Sequence, residues 1–281
     1  MFTTNPFAEV SAFIPPAIMQ GYVILMILLV AGGTIFDMVH KKNAKYFFEN
    51  ARKAKKSAKR SVSGGEKASL AVQTLAKEVL TSGEFANQQR RFSHLFTMYG
   101  FILFIVTTAI LIFAYPTPAQ QAPTIVPILW HLGALMLAFG GYWFWFVIRV
   151  DVAAEGLPWY KFKRADIFIV SLLAMATFGI IWSILPAGGW ANLFFALFIA
   201  ATTVLFATVY WSKFAHMFFK PAAAFQKRLI KADGSRENLP EIPDDLSAPE
   251  VKERFPDIPE YMGDKPPYMG LGINREAPNH Y

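Results

Sequence analysis

Five apolar runs, each long enough to cross a lipid bilayer, constrain this chain of 281 residues more than any other feature. A helix needs about 20 apolar residues to cross about 30 Å of hydrocarbon, and each run reaches that length. We predict the spans at about residues 17–39, 92–115, 126–148, 167–185 and 190–219. The sequence therefore predicts an all-α membrane protein with five transmembrane helices.

The composition favours the same class. Charged residues make up 17% of the chain, whereas soluble domains carry about a quarter. The absence of cysteine excludes disulfides, cysteine-ligated zinc, iron–sulfur clusters held by this chain and a catalytic thiol. No set of side chains suits a hydrolase or a transferase.

The lysines and arginines predict an orientation. All 27 of them fall in segments that successive crossings would place on one side of the membrane. The N-terminal stretch, residues 116–125 and residues 186–189 contain none. By the positive-inside rule, the N-terminus is expected outside and the C-terminus in the cytoplasm.

We divide the chain into an external N-terminus (1–16), a five-helix membrane domain (17–221, with a basic cytoplasmic loop at 40–91) and a proline-rich cytoplasmic tail (222–281). Within the loop, the stretch EKASLAVQTLAKEVL has apolar residues near helical spacing. It predicts either a helix that lies on anionic lipid or on a partner, or a solvated loop that only fixes topology. The tail is either an extended arm that orders against another protein or a disordered segment.

Two of the five histidines match in predicted membrane depth. His94 lies in the first turn of the second span and His216 in the last turn of the fifth, both at the cytoplasmic side. A haem b needs two axial nitrogens from different helices and no cysteine attachment. The pair is therefore predicted to ligate haem iron, provided that spans two and five are neighbours. The alternative is two interfacial histidines without a ligand.

Residues around the two histidines fit this hypothesis. Gly100, six residues after His94, would let a flat ring approach the helix. Pro221 is expected to end the fifth helix just beyond His216. Four cations flank the pair and would bind haem propionates: Arg90, Arg91, Lys213 and Lys220.

Three further side chains are candidates for quinone chemistry, which needs hydrogen-bonding groups and proton acceptors: His131, Asp37 and Asp166. No other histidine shares the outer-leaflet depth of His131, so it is not half of a second haem pair. It would bond a quinone head group or, alternatively, a backbone carbonyl or interfacial water. His40, at the cytoplasmic end of the first span, is the reserve ligand if one of the pair fails.

Around these residues the chain resembles membrane cytochrome b subunits related to the nitrate reductase gamma chain, and the heterodisulfide-reductase-type and quinone-interacting oxidoreductase membrane subunits. Their second-helix motif, in which a histidine follows an arginine and precedes a Gly-Phe pair, is similar to RRFSHLFTMYGFILFIVTT. Their fifth-helix ligand motif is similar to WSKFAHMFFKP, and their fourth helix to KRADIFIVSLLAMATFGI. The likeness covers about residues 17–221.

The resemblance implies a bis-histidine haem b held by His94 and His216, and electron exchange between membrane quinone and a cytoplasmic iron–sulfur or flavin partner. Around Phe104 and Phe198 the chain is apolar where the gamma chain has a second histidine pair, so one haem is expected. Without a cysteine-bearing domain, the chain is similar to the membrane anchor found with adenylylsulfate reductase in sulfur-oxidising bacteria. We therefore expect an electron-transfer subunit of a quinone-linked oxidoreductase complex in the inner membrane of a prokaryote, in sulfur metabolism.

Two other classes are alternatives. A cofactor-free membrane anchor would share the fold and merely tether a soluble redox enzyme. A transporter or channel fits poorly, because the spans contain few buried charges and no paired short, broken helices.

Overall fold

The computed structural model describes residues 2–40, 43–83, 85, 87–152, 155–211, 216–235 and 253, with the backbone alone at 43, 44, 46, 216 and 218. The described part of the chain contains helices and no strands. In order, its elements are α1 (Pro6–Val10), α2 (Pro16–His40), α3 (Asn43–Lys56), α4 (Gly64–Thr74) with a π turn (Leu75–Leu80), α5 (Gln88–Phe113), α6 (Ile125–Trp143) with a π turn (Phe144–Ile148), a 3-10 turn (Arg164–Asp166), α7 (Ile167–Ile184), α8 (Gly189–Ala207) and α9 (His216–Ala232).

Five helices, α2 and α5 to α8, are long and apolar enough to cross a membrane. The prediction of an all-α membrane protein with five such helices is confirmed. We call the end of the bundle where α2 ends and α5 begins the basic end, because the adjoining segments carry the lysines and arginines. It is the end that the positive-inside rule assigns to the cytoplasm, and that assignment stays a prediction.

The fifth membrane helix is shorter than predicted. Helix α8 ends at Ala207, and a separate helix, α9, begins at His216. An unbroken helix over 190–219 would be about 45 Å long, which exceeds the hydrocarbon thickness, so the polar end must leave the bilayer. Pro221 does not end this segment but lies in the second turn of α9, where it removes little more than one backbone hydrogen bond. Helix α9 also crosses the predicted domain boundary at 221.

The closest helix contact joins α5 to α6 through glycines. A Cβ on Gly100 would lie 2.5 Å from the Leu137 nitrogen, and one on Gly133 would lie 2.7 Å from the Phe104 nitrogen. The Ser93 hydroxyl donates to the Gly140 carbonyl at 2.8 Å. Small residues at a membrane helix interface allow such backbone approach, and van der Waals packing then holds the pair together.

The short helix α1 closes the opposite end of the bundle. The Asn5 amide donates to the carbonyls of Leu111 and Tyr115, at 3.3 and 2.7 Å, at the end of α5. The Phe7 ring, 3% exposed, lies edge-on to Trp130 and Trp182. The N-terminal stretch therefore packs into the bundle between α5, α6 and α7.

Helices α3, α4 and α9 form a layer at the basic end. Arg228 of α9 pairs with Glu78 of the π turn at 2.7 Å, and the Lys59 nitrogen donates to the Asp233 carbonyl at 2.9 Å. The predicted helix within the basic loop is thus present as α4 and its π turn. It packs on α9, and whether its other face meets lipid or a partner stays a prediction.

Helix α2 lies at the edge of the bundle and exposes most of its apolar side chains. The Tyr22 hydroxyl attaches it to α8, 2.9 Å from the Thr203 hydroxyl and 3.1 Å from the Ile199 carbonyl. Because α2 otherwise touches its neighbours at few points, a space is left between α2, α5 and α8.

Candidate functional site

The space between α2, α5 and α8 is an apolar cavity of about 540 Å³. That volume lies within the usual range of about 300–1,000 Å³ for small-molecule and cofactor sites. It extends from Phe7 and Met19, near the end closed by α1, to Met217 of α9 at the basic end. The lining is almost wholly aliphatic and aromatic, so the cavity suits an apolar group.

His94 lies on the face of α5 that lines this cavity. The cavity-lining residues Phe101, Ile105, Thr108 and Ile112 follow it at 7, 11, 14 and 18 positions, the spacing of one helical face. By the helical rise, His94 lies about 10 Å from Phe101 towards the basic end. His94 thus lies about two turns beyond the last α5 residue of the lining, on the same helical face.

One ring nitrogen of His94 already has a partner. Its Nδ1 lies 2.9 Å from the Ser82 hydroxyl, and its ring lies 5.0 Å from the Phe85 ring. A ligating histidine commonly uses its second nitrogen for such a hydrogen bond, which fixes the tautomer and the ring orientation. If His94 binds a metal with Nδ1 held in this way, Nε2 would be the ligating nitrogen.

The second predicted ligand, His216, is the first residue of α9. Its side chain lies outside the described part of the structure, as does all of Lys213. The next residue, Met217, lines the cavity. The backbone thus brings the start of α9 to the basic end of the cavity. The walls of this cavity include residues of both α5 and α8, the second and fifth spans.

Ser82 was not singled out from the sequence. It is 1% exposed and has a φ of 48°, the left-handed region that residues other than glycine seldom adopt. The Gly83 nitrogen bonds to the Lys77 carbonyl at 2.7 Å, and the Tyr99 hydroxyl to the Leu80 carbonyl at 2.6 Å, so both flanks are fixed. A buried polar residue held in such a conformation often lies at a functional site.

The predicted propionate ligands have protein partners in this structure. Arg90 pairs with Glu155 at 2.6 Å, and the Arg91 Nε donates to the Thr81 carbonyl at 2.7 Å. Lys220 lies over the Phe85 ring at 5.2 Å, next to the ring that contacts His94. These cations lie in the region of His94 at the basic end, and the two arginines also hold the adjoining loops together.

The expectation for Gly100 is wrong. The face that this glycine leaves bare is covered by helix α6, whose Leu137 backbone a Cβ would meet at 2.5 Å. No flat ring approaches α5 there, because the bare backbone serves helix packing.

Each quinone candidate has structural contacts. The Nδ1 of His131 donates to the Pro127 carbonyl at 2.8 Å, and its Nε2 lies 3.0 Å from the Ser183 hydroxyl. The bond to Pro127 agrees with the alternative, given above, that His131 bonds a backbone carbonyl. Asp166 pairs with Arg149 at 2.5 Å, which accounts for its place at the start of α7. Asp37 is buried near the end of α2, away from His131. A quinone role for these three stays a prediction.

The sequence also gave no signal for a buried arginine. Arg149, one of the 27 basic residues and located just after the third span, is 0% exposed and lies 4.2 Å from the Trp145 ring centre. Its guanidinium donates to the Pro158 carbonyl at 2.7 Å and the Lys161 carbonyl at 2.6 Å. The preceding π turn aims it inward, since its nitrogen bonds five residues back to the Phe144 carbonyl at 2.8 Å.

Comparison with known proteins gives one distant similarity. Citrate utilization protein B of Escherichia coli is 28% identical to the chain over 170 residues, covering 55% of this chain and 41% of that protein. The chain thus matches less than half the length of this relative. No family model and no solved structure matches the chain. Together with the five apolar helices, the similarity supports a multi-pass membrane protein related to part of that relative.

Proposed function

We propose that the chain is a haem b-containing membrane subunit that passes electrons between the quinone pool and a cytoplasmic iron–sulfur or flavin partner. The observation that carries the proposal is the apolar cavity between α2, α5 and α8, which reaches the start of α9, with His94 about two turns further along the lining face of α5. A haem needs an apolar slot with one axial histidine from each of two elements, and these residues fit that need.

His94 and His216 would hold the iron, and Ser82 would orient His94 through Nδ1. Lys220, Arg90 and Arg91 would bind the propionates after release of their present partners. The haem supplies one-electron transfer when bound, while the protein sets its position and its electrostatic environment. The remaining lining around Phe104, Phe198 and Phe206 excludes water.

One haem is proposed rather than two. Among the described residues, the cavity lining beyond Phe101 contains threonines and Tyr22 as its polar groups and no histidine. His131, which is buried, belongs to α6 and faces Ser183. No second axial pair is therefore available along the described part of the cavity.

The partner would dock at the basic end, where α3, α4 and α9 form a positively charged layer. Charge complementarity steers such encounters and favours an acidic partner surface. The resemblance favours a partner in sulfur metabolism, whereas the name of the distant relative concerns citrate utilization. An organic-acid oxidoreductase is therefore the second partner class to test.

The decisive experiment is a reduced-minus-oxidised absorption spectrum of the purified chain. We expect the sharp bands of a low-spin b-type haem in the wild type and their loss in His94→Ala and in His216→Ala. The control is His40→Ala, at the same end, where the ring stacks on Phe36 at 5.5 Å, and this variant should keep the full signal.

Three results would contradict the proposal in different ways. Retention of the signal in His94→Ala or His216→Ala removes that residue as a ligand. Loss in His40→Ala makes that histidine a ligand instead. A wild-type chain without haem, expressed with haem in excess, would favour the cofactor-free membrane anchor.

A further inference from the structure

The loop between α6 and α7 presents six consecutive exposed residues, from Trp159 to Arg164. Its aromatic side chains are unusually open, at 56% for Trp159, 65% for Tyr160 and 64% for Phe162. The other three residues of the run are Lys161, Lys163 and Arg164. The run contains no acidic residue, so aromatic rings and positive charges share one surface. We call residues 159–164 the aromatic–basic loop.

The loop has a fixed shape although it is exposed. The buried Arg149 guanidinium donates to the Pro158 and Lys161 carbonyls, on either side of the first two rings, at 2.7 and 2.6 Å. It also pairs with Asp166, which accepts from the Lys163 nitrogen at 2.7 Å. Both ends of the loop are thus tied to one buried side chain.

The rings of the loop lie at the depth of the last turn of the third membrane helix. The Trp159 ring is 6.4 Å from Phe146, and Phe162 stacks on Trp145 at 5.4 Å. Phe146 is 51% exposed on the outer surface of that turn, as expected of a lipid-facing residue. A loop in contact with these rings is therefore expected at the membrane interface, near the head groups.

We propose that the aromatic–basic loop is a binding site for anionic phospholipid head groups of the leaflet at the basic end. Tryptophan and tyrosine favour the interface, where the ring is apolar and its N–H or O–H meets head groups. The three cations beside them match the phosphate and net charge of anionic lipid. The depth of the rings favours lipid over a soluble protein, and Arg149 acts as the positioning residue.

The test uses the full chain in phosphatidylcholine vesicles that contain lipid brominated near the head group. The signal of Trp159 is the difference in quenching between the wild type and Trp159→Phe. We expect quenching by brominated phosphatidylglycerol to exceed that by brominated phosphatidylcholine by at least about threefold at equal mole fraction, since each cation favours anionic lipid several-fold.

The triple variant Lys161→Gln, Lys163→Gln, Arg164→Gln should bring this ratio close to one. The matched control is Lys53→Gln, Lys55→Gln, Lys56→Gln in the last turn of α3, which removes the same charge and should preserve the ratio. A wild-type ratio of one, or an equal loss in the control, overturns the proposal. Quenching of Trp159 by aqueous iodide instead of brominated lipid also overturns it and indicates a soluble protein as the occupant.

Discussion

Two neighbouring faces of the same helix, α5, have opposite surroundings. One face packs on α6 at backbone distance, and the other opens onto the cavity beside α2. The two stripes are offset by a single residue along the chain: Ser93, Thr97, Gly100 and Thr107 on the packed face, and His94, Phe101, Ile105 and Thr108 on the open face. Since successive residues are about 100° apart, one helix can pack rigidly on one face and line a cavity with the next.

The glycines account for the close packing of one face. On the packed face, Gly100, Gly133 and Gly140 remove side chains so that two backbones meet. On the open face, bulky side chains of α5, α2 and α8 meet around a gap that they do not fill. A rigid pair on one side can hold a histidine steady while the looser helix α2 allows space on the other.

The largest expected effect is on the packed face. Gly133→Leu should lower the free energy of unfolding by about 3 kcal/mol, because its Cβ alone would lie 2.7 Å from the Phe104 nitrogen. The measurement is unfolding in mixed micelles with increasing denaturing detergent. Gly32→Leu on α2 is the control, since nothing lies within 4 Å of its Cβ, and it should change stability by no more than about 0.5 kcal/mol. An equal loss of stability in both variants would contradict the difference between the packed interface and α2.

The next effect should be confined to the open face. Thr34→Phe adds a phenyl ring to the cavity wall near the basic end of α2. Bound haem should fall about fivefold or more, since a filled cavity cannot admit the porphyrin. Haem per protein and unfolding are measured together, and stability should stay near that of the wild type. Ala109→Phe fills the same cavity near its opposite end and should retain haem. Loss of haem in Ala109→Phe but not in Thr34→Phe would place the haem at the end of the cavity closed by α1 and contradict ligation by His94.

The smallest effect concerns the hydrogen bond at the mouth of the open face. Ser82→Gly removes the hydroxyl from His94 but suits the positive φ, so stability should be preserved. Haem affinity is expected to fall by about 10-fold, as is typical when the partner of a ligating histidine is lost. Titration of the apo-protein with haem measures the affinity, and the electron paramagnetic resonance spectrum reports the orientation of the ligand ring. An unchanged affinity and spectrum would show that Ser82 only stabilises its turn.

The sequence was sufficient for features that depend on each segment alone. Five helices able to span a membrane, the helix in the basic loop and the gathering of cations at one end follow from apolar run length and local charge. These features need no knowledge of neighbours, because the free energy of placing a residue in lipid is set mainly by that residue and its depth. His94 was placed at the correct end of its helix for the same reason.

The partner of each side chain became apparent only from the packing of the helices. Gly100 faces α6 and not the cavity, Arg149 is buried under its loop, Ser82 holds His94, and Asp166 pairs within the protein. Each outcome depends on the rotation of one helix about its axis and on residues distant in sequence. A helical period shows which residues share a face, but the packing of the whole bundle determines what that face touches.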